Sequence, residues 1–322
     1  MPCDDWRQAG AAELAPWYAA ERARWTRVLG WDPVLVLAMA EEARQAGRLA
    51  GFVARDDAGR ITGVAYYNHE RGALQIGALQ AERADVVRDL LDRILESPEA
   101  SFARRYQGFL FPPIGGVDVA LTRRRFDVMP QLYLGCRLDG LAPPAGTPVQ
   151  VRPWRDEDVP AAARLLARAY AGTATGAAFA PEGRLDEWVA YLGAVLHSPA
   201  CGAFEPSQTV VIDGPRPERL GGLVLTTRLS PSTVHLAQVA VDPDQHRRGL
   251  ASAMIGRVAR LSSGGATRDV TLLVADDNAP ARRLYERLGF EQRSVFLLAS
   301  RGRITRQSAS PRVAEGTAVA AR

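Results

Sequence analysis

The sequence predicts an α/β protein built as two tandem domains, each a mixed central sheet flanked by helices. Three observations carry that reading. The order of strand-like and helix-like segments runs through the chain twice. Ile61-Thr62-Gly63-Val64-Ala65 in the first run is matched by Leu220-Gly221-Gly222-Leu223-Val224 in the second, and each run closes on a helix, a phenylalanine (Phe126, Phe290) and a strand. Between the runs lies Leu141–Pro148, a proline-rich stretch that joins one strand-like segment to another. The expected division is 1–140, a linker at 141–148, and 149–304. The arginine-, serine- and alanine-rich tail from 305 to 322 has little to bury and is expected to be disordered.

In the first run, Leu14, Trp17, Tyr18, Glu21, Trp25 and Leu29 recur at helical spacing, which predicts a helix from Ala11 to the stop at Gly30. Asp32-Pro33 restarts helix through about Gln45. Strands are predicted at 51–54 and 61–67 around the turn Asp56-Asp57-Ala58-Gly59, and at 73–79. A helix follows at 84–94, then a strand at 109–111, a turn at Pro112-Pro113-Ile114-Gly115-Gly116, a short helix and a strand at 131–137.

The second run predicts a strand at 149–152, a helix from the acidic cap Asp156-Glu157-Asp158 to Tyr170, and a helix at 184–196. Strands follow at 209–212 and 220–227 around Asp213-Gly214-Pro215, with a central strand at 235–241. A helix at 249–261, a strand at 270–274, a helix at 279–288 and a strand at 295–298 complete the run.

The 322 residues carry 40 basic side chains, all arginine, against 36 acidic ones, a formal net charge of +4. Residues 301–322 hold five of the arginines and one glutamate, so the folded part is close to neutral. No basic face with interleaved aromatics is evident, and nucleic acid is not an expected partner. Cys3, Cys136 and Cys201 are far apart and no CxxC pair occurs, which argues against a zinc site or a disulfide framework, and no metal is expected. The start of the chain does not read as a signal peptide, and no apolar stretch approaches membrane-spanning length, so no membrane association is expected and a cytoplasmic location is.

The chemistry concentrates in two stretches. Val239-Ala240-Val241-Asp242-Pro243 reads as a strand ending at a proline, followed by His246-Arg247-Arg248-Gly249-Leu250-Ala251 at the entry of a helix. Free amides at a helix start, its dipole, a permissive glycine and added arginine charge make an anion cradle. Asn278 then caps a helix that carries Tyr285 on its apolar side and ends at Gly289-Phe290.

These two stretches resemble the GCN5-related N-acetyltransferase (GNAT) superfamily. His246 stands where that pattern usually has Gln or Arg, while Gly249 and Ala251 match it, and Asn278 through Phe290 follows the pattern Asn-x-x-Ala-x-x-Leu-Tyr-x-x-x-Gly-Phe. The resemblance implies that each domain has an acetyltransferase-like fold with a splayed central sheet. It also implies an acetyl-CoA or related acyl-CoA site. The backbones of Val239, Ala240 and Val241 would hold the pantetheine arm, the amides of His246 through Ala251 the pyrophosphate, and Asn278 and Arg282 would stand on the cofactor side. Tyr285 is implied as the proton donor to the departing thiolate.

The expected reaction is direct acetyl transfer to a primary amine on a small molecule or peptide. The amine also needs a base. His235 on the central strand is one candidate, and a strand histidine without a role is the other reading. Leu273 stands where some relatives carry Glu. Tyr170, Phe179, Glu182 and Trp188 are expected to wall the acceptor. The alternative to an enzyme is a noncatalytic acyl-CoA sensor or interaction protein.

The first half has no matching cradle. Its counterpart falls near Ala81-Glu82-Arg83-Ala84-Asp85, where Glu82 and Asp85 repel phosphate, Leu121 stands for Tyr285 and Arg125 for Gly289. A degenerate domain is expected, which could stabilise its partner, wall the acceptor cleft or bind another protein. Trp6, Trp17, Tyr18, Trp25 and Trp31 are expected to serve core or interdomain packing.

Overall fold

The computed structural model describes residues 3–70, 72–141, 149–216 and 218–302. The first half begins with β1 (Cys3–Asp5), α1 (Ala11–Leu29), α2 (Val34–Gln45), β2 (Ala50–Arg55), β3 (Ile61–Glu70) and β4 (Ala73–Ala81). It continues with α3 (Ala84–Leu95), α4 (Pro98–Phe102), β5 (Arg105–Leu110), α5 (Val117–Arg123) and β6 (Asp127–Arg137). The second half opens with β7 (Arg152–Pro153), α6 (Val159–Ala169), α7 (Ala174–Phe179), α8 (Leu185–His197), β8 (Ala203–Phe204) and β9 (Val210–Asp213). It ends with β10 (Leu220–Ser230), β11 (Thr233–Val241), α9 (Leu250–Ser262), β12 (Asp269–Ala275), α10 (Ala279–Arg287) and β13 (Glu291–Gly302).

Local chemistry explains most boundaries. In α1 the Gly10 amide donates to Glu13 Oε2 at 2.7 Å, and Gly30 closes the helix at φ +66°. The predicted strand at 149–152 shrinks to Arg152–Pro153, where proline cannot donate to a ladder. Two short helices were absent from the sequence reading. Ser97 caps α4 ahead of Pro98, and Thr173 Oγ1 caps α7 by accepting from the Gly176 amide at 2.9 Å. The linker beyond Leu141 and the tail from residue 303 lie outside the described residues.

The described strands join in one open, mixed sheet ordered β1-β2-β3-β4-β5-β13-β6-β12-β11-β10-β9-β7, with β8 beside β10. The closing strands of the two halves are exchanged. β13 pairs with β5, Leu297 opposite Leu110, and β6 pairs with β12, Cys136 opposite Val270; β6 and β13 also pair with each other. Burial follows the exchange. Leu297 and Ala299 pack with Leu90, Leu121 and Phe126 of the first half, while Leu132, Leu134 and Cys136 pack with Met254, Tyr285 and Phe290 of the second. The expected division at residue 140 therefore describes chain order but not packing, because a sheet edge accepts any strand of suitable register.

The halves repeat residue by residue where it matters. Tyr66 faces Ala78 and Tyr67 faces Ile76, which leaves Gly77 as a bulge; Leu225 faces Gln238 and Thr226 faces Leu236, which leaves Ala237 in the same place. The parallel pair β4 and β5 holds as far as Ile76 opposite Gly108, and β11 and β12 as far as Leu236 opposite Leu272. Beyond those points both pairs part. The Glu82 amide bonds Thr62 O at 3.0 Å, and the Asp242 amide bonds Gly221 O at 2.9 Å. At the far end the Phe126 amide bonds Leu121 O at 3.2 Å, and the Phe290 amide bonds Tyr285 O at 3.0 Å. Leu121 is thereby the register partner of Tyr285. Arg125, at φ +62°, takes the left-handed position that Gly289 holds at φ +91°.

Candidate active site

The second-half opening between β11 and β12 leads down to the entry of α9. Asp242 ends the strand and accepts from the Asp244 amide at 3.0 Å, which makes a short turn over Pro243–Gln245. Arg168 of α6 ties this turn down through Asp242 at 2.9 Å and Asp244 at 2.8 Å. His246 Nε2 lies 3.2 Å from Val241 O. Arg247 and Gly249 are both left-handed, at φ +64° and +74°. Among the described residues, the amides of Arg247, Arg248, Gly249, Leu250 and Ala251 have no backbone acceptor. A Cβ at Gly249 would meet open space, so the glycine serves the backbone turn and keeps the approach to these amides clear. The donor set fits an acyl-CoA pyrophosphate: unspent amides, a helix start and two exposed arginines.

Above the cradle a cavity of about 530 Å³ opens between the two halves. Ala237–Val239, Leu273–Ala275, Asn278, Ala281 and Tyr285 form one side of it. Tyr285 is buried, packs edge-on against Phe290, and its hydroxyl makes no hydrogen bond among the described residues. Burial, with a smaller contribution from Tyr170, pushes its phenol well above the ordinary range, so it stays protonated. Asn278 caps α10, its Oδ1 accepting from the Ala281 amide at 3.2 Å. Arg282 is held against Asp276 at 2.7 Å. Ala240 is buried, and Val239 and Val241 are half-buried on β11.

His235 is also brought to the cavity. Its Nδ1 is 3.0 Å from Thr271 Oγ1, its ring stacks on Tyr133, and burial lowers its pKa to about 4. The imidazole is therefore neutral near pH 7 and a weak base. Tyr170 lines the cavity and donates to Gln238 Oε1 at 2.7 Å, and burial pushes its phenol up to about 12. Phe179 stands on the wall against Tyr191. Two expected wall residues are elsewhere. Trp188 is buried behind Tyr170, stacked on its ring at 5.6 Å, and Glu182 is exposed beside Arg184. The loop after α7 is tied to the start of α8, the Glu182 amide donating to Glu187 Oε2 at 3.0 Å, and the Glu182 side chain is exposed.

Several residues of the site escaped the sequence reading. Gln238 bridges Tyr170 and the hydroxyl of Tyr191. Arg168 holds the cradle turn. Glu21, Gln80 and Gln131 line the cavity from the first half. The available signal was a polar side chain within an apolar strand or helix face. The aromatic cluster of the first half divides. Trp6 is fully buried and stacked on Tyr66, whereas Trp17, Trp25 and Trp31 reach the cavity wall instead of serving packing alone.

Residues 152–290 match the Acetyltransferase (GNAT) family. The chain is 37% identical over 145 residues to mycothiol acetyltransferase of Actinosynnema mirum, a match that covers 44% of this chain and 42% of that protein. The match thus spans under half the length of that curated relative. A tandem GNAT protein from the clavulanic acid biosynthesis pathway is similar in structure, with a TM-score of 0.51 at 14% identity, covering 79% of this chain and 82% of that one. A GNAT-family acetyltransferase from Colwellia psychrerythraea has a TM-score of 0.51 at 11% identity over 93% of this chain and 99% of its own. No helix among the described residues is long and apolar enough to cross a membrane. The exchanged but repeated halves and these likenesses show a GNAT-like acetyltransferase fold in a tandem arrangement.

Proposed function

We propose that the chain is an N-acetyltransferase that uses acetyl-CoA, with a single working site in the second half and a primary amine as acceptor. The observation that carries this is the Tyr285 hydroxyl, which has no hydrogen-bond partner among the described residues and stands on the cavity wall with Val239 and Asn278. Acetyl-CoA, when bound, supplies an acyl group activated as a thioester. The amides from Arg247 to Ala251 would hold its pyrophosphate, and the parted edge of β11 at Val239 and Ala240 would take the pantetheine arm. Tyr285 keeps a proton on Oη, available to the thiol side as the bond to the acyl group breaks. His235, a weak base, would accept a hydrogen bond on the amine side, with the amine proton passing on to water.

The phenol is the discriminating group. Tyr285→Phe is expected to lower turnover with an amine acceptor about 10²-fold, within the range of a lost proton donor, while acetyl-CoA affinity changes less than tenfold. Thiol release and calorimetry measure the two quantities. Unchanged turnover removes Tyr285 from this role. Cofactor binding with no thiol release from any amine identifies a sensor rather than an enzyme.

A further inference from the structure

The first half retains an opening that its own chemistry no longer explains. β4 and β5 part after Ile76 and Gly108, at the register where β11 and β12 part, and Gly77–Gln80 and Phe109–Phe111 face the same cavity. The lower end of this opening is unsuited to a nucleotide. Only Arg83 separates Glu82 from α3, where the second half has Pro243–Gly249, so the loop that displays free amides does not exist. Glu82 is paired with Arg60 and Asp85 with Arg83, which puts carboxylates where phosphates would lie.

Two further observations indicate what the opening can take. Gln80, 8% exposed, and Gln131, 3% exposed, both line the cavity, and Gln80 Oε1 and Gln131 Nε2 are buried without a hydrogen-bond partner among the described residues. An unmade bond at such a buried atom is a standing cost to the fold that a ligand can remove. A turn of each terminal amide would offer it to a ligand hydroxyl or amide. The strand exchange is what brings Gln131 here, since it sits opposite Ala275 of β12 and Phe296 of β13. The second observation is charge. Glu21 is the one carboxylate on the wall among the described residues, and its oxygens are taken by Arg24 at 3.1 and 2.8 Å and by Trp25 Nε1 at 3.0 Å. A second cation on the acceptor would find no free counter-charge.

We propose that the vacated cofactor slot of the first half has become the groove for the body of the acceptor: an uncharged moiety bearing hydroxyl or amide groups, held by Gln80 and Gln131 against the rings of Trp25 and Tyr66. Gly77 belongs to this groove because a Cβ there would run into the Tyr66 ring. The proposal rests on the transfer reading given above and adds the acceptor class.

Gln80→Leu and Gln131→Leu test it in the full chain. Without ligand, each variant is expected to melt at or above the temperature of the unsubstituted chain, because an unpaired buried amide is removed. Thiol release is then followed with glucosamine, phenylethylamine and spermidine as probes. Glucosamine is expected to be the best acceptor and spermidine the poorest. Each leucine is expected to raise the KM for glucosamine about tenfold, the loss of one hydrogen bond, with acetyl-CoA affinity unchanged. Preference for spermidine, an unchanged KM in both variants, or a lowered melting temperature with KM unchanged overturns the groove. No thiol release with any amine, while acetyl-CoA still binds, defeats the transfer reading and this inference with it.

Discussion

The two halves share a bulge, a splay point and a closing Phe turn, yet where Arg83 alone precedes the helix of the first half, the second has the seven residues Pro243–Gly249. In the first half only Glu82 and Arg83 separate the end of β4 at Ala81 from α3, and the carboxylates of Glu82 and Asp85 stand at the helix entry, paired with Arg60 and Arg83. In the second half the insertion turns left-handed twice and leaves a row of amides unspent. The comparison separates two properties that usually occur together. The splay belongs to the sheet and is present in both halves, whereas the row of free amides belongs to one loop and is absent where that loop is absent.

The largest expected effect comes from attacking that loop. Gly249→Glu puts a carboxylate beside the pyrophosphate and forces a side chain into a left-handed position, a strain of about 1–2 kcal/mol. Acetyl-CoA affinity should fall at least about 10²-fold by calorimetry. Retained micromolar binding would show that the loop is not the cradle. The smallest effect lies at the matching turn of the first half. Arg125 is exposed and left-handed where the second half has Gly289. Arg125→Gly should relieve that strain and stabilise the chain by up to about 1 kcal/mol, read as a rise in melting temperature. A fall would mean that the arginine side chain is needed there.

Much of this architecture was legible in the sequence. Helix caps, glycine stops and apolar periodicity are local, so α1, α3, α9 and α10 fell within a residue or two of their predicted spans. The turn ahead of α9 and the Tyr285 helix were legible for the same reason, and so was the pairing of Leu121 with Tyr285. The strand exchange was not. The apolar runs of β6 and β13 read alike whichever half receives them, and strand partnership is a long-range property. Gln80, Gln131 and Gln238 were missed because an isolated polar residue in an apolar strand takes its meaning from what faces it. Glu182 failed for the converse reason, since a loop residue close in sequence to the wall is exposed, its amide bound to Glu187 of the next helix.

The central claim is that two acetyltransferase-like halves retain one cofactor site. Titrating the full chain with acetyl-CoA in a calorimeter tests it most directly. One site per chain is predicted, lost in the Gly249→Glu variant. Two sites per chain, or one site that persists in that variant, would contradict it.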